Sequence, residues 1–554
     1  MLLLLLALAI FGLASARGPN VLVIMSDDQD MLLDSLLVQP KINKLIGGQG
    51  VSYNRHYCTV AWCCPSRVNF LTGKAAHNSN VTTLTPPFGG WPKFVSEGHN
   101  SNYLPTWMKS KGINTYYAGK LMNGYSGKGF NNPHPKGWTQ SSFLVDPWTY
   151  NYHQSHWTNG PNGKVKNYPG VHTTKVLQGK AMKMLDHAAK GAKSGEQFFM
   201  MLAPVAPHTE IAGGGKVPPP PPGWKGKFLG RKAPRRANFN PDKKSGASWV
   251  RGLPKLKPEE IKAGDEMHVG RLQNMAGIDD MVGKLIEKLK QHNILDNTYI
   301  IYTSDNGFHI GNHRLKPGKR CPYEEDINVP MLIRGPNVPH GVVSKVASHH
   351  TDMAPTILKM LGVPMRPDFD GEPVDYTKAT IDNTKPSEHV SVEFWDDGFG
   401  PNGYRGVDSS KFYYNNTYKA LRFWAGDYSF FYSVWCDNTH EFYDMKTDHV
   451  QMYNRMLKKG PEGKPQQYFG RPEKQLFNRL DAILMVTKSC KQDSCRNPWK
   501  KIFPKGQVST LGAAMEKKYD KFFADQPKVS FKNCKSGFVV ANEGPQHVRP
   551  FGGS

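Results

Sequence analysis

The chain has 554 residues, of which 71 are Lys or Arg and 46 are Asp or Glu, giving a formal net charge of +25. This length predicts two domains, and eight cysteines are too few for a small scaffold held together by disulfides. The basic excess favours a polyanionic polysaccharide over nucleic acid as the partner of a secreted chain, although a surface that is basic for solubility fits equally well.

Residues 1–16 are expected to form a secretory signal peptide. Residues 2–13 are almost entirely apolar, and Ala14-Ser15-Ala16 has the small side chains of a cleavage site, although the usual basic residue at the start is missing. A membrane anchor is the alternative, but the apolar run is shorter than the ~20 residues that a spanning helix needs. We expect no transmembrane segment, and either secretion or delivery to a lysosome-like or vacuole-like compartment.

The secretory route permits glycans and disulfides. Asn80 and Asn415 each begin an Asn-x-Thr sequon and are candidate glycosylation sites. A few disulfides are also expected, with the pairing left open. Cys490 and Cys495 are close enough to close a small loop, and two further cysteines of the same C-terminal third are Cys436 and Cys534.

Two apolar, β-branched runs predict buried strands that end in acidic loops. Residues 20–26 lead into Asp27 and Asp28, and a second run leads into Asp305 and Asn306. Before the second run, apolar residues recur at helical spacing at Met275, Ile278, Val282, Leu285 and Leu289. This order predicts an α/β fold, a mostly parallel sheet flanked by helices. Ligands bind at the carboxyl ends of such strands, so both loops are expected at the site.

Two changes of composition divide the chain. Residues 211–258 contain five consecutive prolines and 12 Lys or Arg against one acid, which predicts an irregular surface insertion. The insertion is either an arm that faces a polyanion or simply solvated. Beyond residue 370, short segments such as "HVSVEFW" and "DYSFFYSVW" predict antiparallel strands. We therefore expect one domain over residues 17–370 and a smaller α+β domain over residues 371–554.

The two acidic loops together supply oxygen ligands. Asp27, Asp28 and Asp305 offer carboxylates, and Asn306 offers an amide oxygen. Hard divalent cations prefer such ligands, whereas zinc prefers nitrogen and sulfur. One such pair alone is more often a turn or a helix cap, but two pairs at two strand ends predict a site for Ca²⁺ or Mg²⁺.

The segment around Cys63 resembles the signature of the sulfatase family. Residues 63–67 read Cys-Cys-Pro-Ser-Arg and residues 71–73 read Leu-Thr-Gly. In that family a formylglycine-generating enzyme oxidises the cysteine that precedes proline by two residues and arginine by four. Only Cys63 has this spacing, and neither a vicinal disulfide nor half a zinc site would explain that proline and arginine. Cys64 is then a small buried side chain or a partner for Cys58.

Further motifs resemble the same family over residues 17–365. The Asp-Asp and Asp-Asn pairs match the family's metal ligands, together with the modified Cys63. "NTYYAGK" and "LKPGKR" resemble segments whose lysines, here Lys120 and Lys319, contact the sulfate. "APVAPH" resembles the segment that presents the catalytic histidine, here His208. The resemblance implies an alkaline-phosphatase-like fold for a catalytic domain over residues 17–370.

The resemblance also implies a mechanism. A formylglycine aldehyde hydrates to a diol, and a metal-bound diol oxygen can attack the sulfate sulfur. An acid such as His208 protonates the leaving alcohol, and the second hydroxyl then allows sulfate to be expelled. Arg67, Lys120, Lys319 and the cation would neutralise charge on the sulfate oxygens.

One departure concerns the base for sulfate elimination. Many sulfatases place a histidine two residues after the lysine, whereas Met122 stands there in this chain. N-acetylglucosamine-6-sulfatases and a group of secreted arylsulfatases also lack that histidine, and this chain resembles them most, in "CCPSR" and in "SDNGFHIGNHRL". His309 or His313 could supply the base, or either could be a polar loop residue.

We therefore expect a sulfuric ester hydrolase of arylsulfatase type. A glycosaminoglycan or N-acetylglucosamine-6-sulfate sulfatase is the strongest alternative. A phosphoester or phosphonate hydrolase of the same superfamily is a second one, which the intact motif at Cys63 disfavours. A polyanion-binding protein without turnover is a third, motivated by the charge of +25.

Overall fold

A computed structural model describes residues 18–161, 163–211, 216–381, 388–396, 398–399, 413–457 and 466–552. The expected signal peptide lies outside these residues. Within them, no helix combines the length and the apolar character that crossing a bilayer would require.

The strands and α-helices are numbered in chain order. The strands are β1 Asn20–Ser26, β2 Gly50–Tyr53, β3 His56–Tyr57, β4 Asn114–Gly119, β5 Gln140–Phe143, β6 Gln154–Trp157, β7 Lys166–Pro169, β8 Phe198–Ala203, β9 Thr298–Ser304, β10 Met331–Arg334, β11 Val342–Ser344, β12 Ser348–His349, β13 His389–Phe394, β14 Gly398–Phe399, β15 Tyr413–Tyr414, β16 Tyr418–Trp424, β17 Ser429–Trp435, β18 His440–Asp444, β19 Gln467–Tyr468 and β20 Arg471–Pro472. The α-helices are α1 Pro40–Ile42, α2 Cys63–Thr72, α3 Ala76–Ser79, α4 Gly90–Ser96, α5 Leu104–Lys109, α6 Thr173–Lys193, α7 Pro258–Gln291, α8 Glu324–Ile327, α9 Met353–Met360, α10 Lys378–Ile381, α11 Glu473–Thr487, α12 Asp493–Arg496, α13 Trp499–Ile502, α14 Leu511–Ala514 and α15 Asp520–Ala524.

A large mixed sheet organises the first two thirds of the chain. Its strand order is β11-β2-β10-β9-β1-β8-β4-β5. Strands β9, β1, β8, β4 and β5 run parallel to one another, and β10 is antiparallel to both of its neighbours. This confirms the predicted mostly parallel sheet.

Both faces of β1 are covered, which explains its uninterrupted apolar sequence. Val21 and Val23 point to one face, where they share a core with residues of α2 and α9. Leu22 and Ile24 point to the other, where α6 and α7 close the core. The alternation follows from the two-residue period of a strand.

The C-terminal third contains the predicted antiparallel sheet, in the order β13-β16-β17-β18. Helix α11 packs against it through an apolar core. Two disulfides, Cys436–Cys534 and Cys490–Cys495, cross-link this part of the chain. The boundary near residue 370 stays a prediction.

The described part of the insertion, residue 211 and residues 216–258, is irregular as predicted, apart from a 3₁₀ turn at Ser248–Gly252 and Pro258, which begins α7. It is not purely a surface excursion, which corrects the expectation. The carbonyls of Pro218 and Pro219 accept hydrogen bonds from Asn274 of α7, and Asn238 is fully buried. Proline lacks an N–H but keeps its carbonyl, so a polar side chain on a neighbouring helix can hold such a segment in place.

Candidate active site

Four parallel strands end together at one edge of the large sheet. Asp27 and Asp28 follow β1, Asp305 follows β9, and Lys120 follows β4. His208 lies on the loop after β8. Because these strands are parallel neighbours, their carboxyl ends bring together residues that are far apart in sequence.

Helix α2 carries the predicted nucleophile at its first residue. Trp62 is the extended N-cap residue, Cys63 begins the helix, and Pro65 lies in the first turn, where its missing N–H costs nothing. The helix ends at Thr72 and is capped by Gly73, whose φ is 66° and where a Cβ would lie 2.5 Å from the ring of Phe369. The glycine of the Leu-Thr-Gly motif is therefore required by both conformation and space.

The thiol of Cys63 faces the acidic loops. Its Sγ lies 3.4 Å from Oδ1 of Asp27 and 3.8 Å from Oδ1 of Asp28. The ammonium of Lys319 lies 2.8 Å from the same sulfur and also contacts Asp28. We call Asp27, Asp28, Cys63, Arg67, Lys120, His208, Asp305, Asn306 and Lys319 the active-site cluster.

The cluster contains as many cationic as anionic side chains. Arg67 donates from Nε to Oδ2 of Asp305 at 2.8 Å and from Nη1 to the carbonyl of Lys120 at 2.7 Å. Lys120 donates to Oδ2 of Asp27 at 2.6 Å. Together with Lys319 and Asp28, three buried cations face three buried carboxylates, and this pairing offsets the cost of removing them from water.

Burial shapes the ionisation of the cluster. Burial and the neighbouring carboxylate of Asp305 raise the pKa of Asp27 to about 7. Burial also opposes ionisation of Asp28, yet Lys319 holds the pKa of Asp28 below its usual value. Burial and the charge of Asp27 raise the pKa of the Cys63 thiol well above its usual range. An unmodified Cys63 therefore stays protonated near neutral pH and is not an activated thiolate.

The oxygen ligands fit a hard divalent cation. Among the described residues, buried Oδ2 of Asp28 and buried Oδ1 of Asn306 have no hydrogen-bond partner. The amide nitrogen of Asn306 donates to Asp28 at 2.8 Å, which turns its oxygen away from that bond. One ligand atom each of Asp27, Asp28, Cys63 and His208 lies within 4.8 Å of the others. Carboxylate and amide oxygens suit Ca²⁺ or Mg²⁺ better than zinc.

His208 presents one ring nitrogen to the cluster. Its Nδ1 donates to the carbonyl of Thr209 at 2.8 Å, and its Nε2 lies 3.6 Å from Oδ2 of Asp28. Burial lowers the pKa of His208 to about 3, so the neutral ring directs an Nε2 lone pair at the cluster. The ring of Tyr150 packs on His208 at 4.3 Å between centroids and lies 4.8 Å from the ammonium of Lys120. No sequence pattern marks Tyr150, because it lies in a loop between strands.

The two candidate bases lie outside the cluster. His309 is held by Asp326 at 2.7 Å, on the loop whose backbone pairs with Gly318 beside Lys319. His313 is buried, bonds Ser245 at 2.9 Å, and stacks on a tyrosine ring. Among the described residues, neither ring forms a hydrogen bond or an ion pair with a member of the cluster, and a role for either as the base stays a prediction.

The remaining predictions concern the pairing of Cys64 with Cys58 and the two sequons. Cys58 and Cys64 are both buried and unbridged, so Cys64 is a small buried side chain and its pairing with Cys58 is wrong. The helix geometry points the two side chains of residues 63 and 64 in different directions. Asn80 and Asn415 are half-buried, and glycosylation at either stays a prediction.

Residues 19–363, which contain every member of the cluster, match the sulfatase family. The chain belongs to the sulfatase family. It is 32% identical over 561 residues to an arylsulfatase of Volvox carteri, covering 95% of this chain and 83% of that protein. It is 31% identical over 517 residues to the N-acetylglucosamine-6-sulfatase of Homo sapiens, covering 89% of this chain and 88% of that protein.

Solved structures agree on the fold. A protein in complex with its substrate D-glucosamine-2-N,6-O-disulfate superposes with a TM-score of 0.62 at 21% identity, covering 79% of this chain and 93% of that chain. At this identity the likeness shows the fold alone. The predicted family, the α/β fold and the enzyme class are confirmed, and the chain is a sulfatase that acts on sulfate esters.

Proposed function

We propose that this sulfatase is an enzyme of arylsulfatase type that hydrolyses sulfate monoesters. In the active enzyme, residue 63 is formylglycine and Ca²⁺ is bound. The observation that carries the proposal is the position of Cys63. Cys63 is the first residue of a buried helix, and its Sγ lies within 4 Å of Asp27, Asp28 and Lys319. Two further cations, Arg67 and Lys120, pair with the carboxylates of the same cluster. The raised pKa of its thiol argues against cysteine itself as the nucleophile.

The chain's own residues bind and orient the sulfate. Lys120 and Lys319 place ammonium groups, and Arg67 a guanidinium, around the carboxylates beside residue 63. Such fixed cations stabilise negative charge on sulfate oxygens without reorganisation during the reaction. Formylglycine supplies a hydrated aldehyde as nucleophile, and a cation held by Asp27, Asp28, Asp305 and Asn306 supplies further charge neutralisation.

Proton transfer is assigned to His208. Its Nδ1 proton is held by the carbonyl of Thr209, so Nε2 can take up the proton that the nucleophile at residue 63 loses and then deliver it to the leaving alcohol oxygen. Because the ring is neutral before substrate binds, it can take up a proton first and donate that proton afterwards.

The natural substrate is proposed to be an aryl sulfate or a sulfated sugar. The arylsulfatase and N-acetylglucosamine-6-sulfatase relatives support both classes. Secretion and modification by a formylglycine-generating enzyme complete the proposal. Two disulfides support an oxidising compartment.

The test is release of sulfate from 4-nitrophenyl sulfate, with glucosamine-6-sulfate and its N-acetyl form as parallel substrates. Lys319→Met should lower kcat/KM by about 10²–10³, the usual effect of removing a group that stabilises transition-state charge. Lys316→Met is the matched control, because Lys316 lies on the same loop but pairs with Glu260 at 3.0 Å. Equal losses in both variants, or turnover that survives both Lys319→Met and chelation, would contradict the proposal.

A further inference from the structure

A second cavity lies at the outer edge of the large sheet. It has a volume of about 720 Å³ and lies between edge strand β5, the β6–β7 hairpin and the first half of α6. No member of the active-site cluster lines it. Its size falls in the ~300–1,000 Å³ range of ligand sites.

The cavity is lined by cations without matching acids. No Asp or Glu is among its lining residues, whereas four lysines are. These are Lys166, Lys175, Lys180 and Lys183. None of them forms an ion pair within the described part of the chain. Asp280 interacts electrostatically with Lys175, but its carboxylate already binds Lys41 and Trp224. The positive charge is therefore available to an anionic ligand.

Lys180 is the most constrained of the four. Its ammonium lies 5.4 Å from the ring centroid of Trp157 and 5.2 Å from that of Tyr168, so its charge rests on aromatic faces. Burial, together with Lys166 and Lys183, lowers the pKa of Lys180 to about 8. Like charges gathered around a partly buried ammonium are unfavourable by themselves, and a bound anion would relieve them.

A glycine lines the same cavity without a packing reason. Gly179 lies inside α6, where glycine weakens a helix relative to alanine. A Cβ at this position would meet no atom of the described chain within 4 Å. The missing side chain leaves the wall of the cavity open, so that a ligand can approach the helix backbone closely.

The neutral part of the lining suits a sugar. Trp138 and Tyr168 are partly buried; Trp138 stacks on Phe199, and the ammonium groups of Lys166 and Lys180 lie 5.1 Å and 5.2 Å from the ring centroid of Tyr168. The side-chain amides of Gln140 and Asn159 have no hydrogen bond to any other described residue and can bond hydroxyl groups. A cavity lined by lysines and side-chain amides fits a sulfated oligosaccharide better than an extended phosphate backbone or a lipid surface.

We propose that this cavity is a second, non-catalytic binding site for a sulfated saccharide. The four lysines bind its sulfate groups, the side-chain amides of Gln140 and Asn159 bond its hydroxyl groups, and Gly179 gives it room beside α6. The proposal does not depend on the proposed chemistry, because the cavity shares no residue with the active-site cluster.

The test compares two pairs of lysines on one helix. Binding of a heparin-derived hexasaccharide to full-length Cys63→Ala protein is measured by calorimetry at low salt, with the unsulfated hexasaccharide as reference. Lys180→Gln/Lys183→Gln should weaken binding about tenfold, since two charge-assisted contacts are lost. Lys190→Gln/Lys193→Gln removes the same charge at the same spacing from exposed positions outside the cavity, and should change the affinity less than twofold.

The Gly179→Ala variant distinguishes binding in a defined site from nonspecific attraction to positive charge. It should weaken binding severalfold without lowering Tm, because alanine favours the helix and its Cβ enters only the cavity. Equal losses in the two lysine pairs, unchanged affinity in Gly179→Ala, or equally tight binding of the unsulfated hexasaccharide would overturn the proposal. So would the same lysine-dependent affinity for a single-stranded oligonucleotide or for phosphatidylserine vesicles.

Discussion

Glu393 is predicted to stabilise the packing of the C-terminal sheet against the helix layer that carries the nucleophile. Its side chain is 4% exposed and accepts from His77 at 2.7 Å and from Lys419 at 2.9 Å. The other ring nitrogen of His77 faces the carbonyl of Cys490 at 2.7 Å, so both nitrogens donate and the ring is charged. This agrees with the pKa of His77, which the carboxylate raises against the effect of burial.

The size of the effect follows from ionisation. Burial opposes the charge of Glu393, but His77 and Lys419 hold its pKa at about 2, against 4.5 in an exposed chain. That difference corresponds to about 3 kcal/mol of folding free energy near neutral pH. Glu393→Gln should therefore lower Tm by about 2–3 °C if the whole chain unfolds together.

The pH dependence gives the sharper test, by scanning calorimetry of both proteins from about pH 3 to pH 7. Because the folded pKa is depressed, the contribution is complete above the unfolded value and disappears as pH falls toward about 2. The difference in Tm should thus shrink to less than half by about pH 3. Glu516→Gln is the control, since Glu516 pairs with Lys518 at an exposed position and should leave Tm unchanged. A difference that is absent, or equally large at both ends of the pH range, would refute the reasoning.

Two further predictions concern the active site, and a third concerns the buried His313 outside it. Tyr150→Ala should lower kcat/KM about tenfold, because it removes the ring that packs on His208 and Lys120. Tyr150→Phe keeps that ring and should retain most activity. Equal losses of kcat/KM in the two variants, measured in steady-state assays, would disprove a positioning role for the ring. Asn306→Leu removes an unpaired buried oxygen and should raise the Ca²⁺ concentration that restores activity after chelation about 10–100-fold, and an unchanged titration would exclude it as a ligand. His313→Ala should lower the free energy of unfolding by about 1–3 kcal/mol, because buried hydrogen bonds and a ring stack are lost. If His313→Ala instead stalls sulfate release at unchanged stability, His313 is the elimination base.

Local sequence patterns predicted the parts of the fold that depend on neighbouring residues. β1 and β9 were predictable because strands buried on both faces need continuous apolar runs. The acidic loops follow directly from them, since side chains at parallel strand ends must converge. Helix α7 was predicted only over its apolar stretch. It begins at Pro258, seventeen residues before that stretch, with Glu259 and Glu260 in its first turn.

Contacts between distant segments could not be predicted. Arg271 donates to the carbonyl of Asp28 at 2.6 Å and pairs with Asp30, yet in the sequence it is one charged residue on a long helix. Tyr150 reaches the cluster from a loop without periodicity. The partial burial of the insertion depends on Asn274, whose partner carbonyls are more than 50 residues away. Such pairings depend on the folded path of the chain, which local composition does not encode.

The proposed chemistry depends on residue 63 being formylglycine. The most direct measurement is mass spectrometry of the peptide containing residue 63, made on the same preparation that releases sulfate from 4-nitrophenyl sulfate. We expect the aldehyde at residue 63, an unmodified Cys64, and activity proportional to the aldehyde fraction. An active preparation in which residue 63 is entirely an unmodified thiol would contradict it.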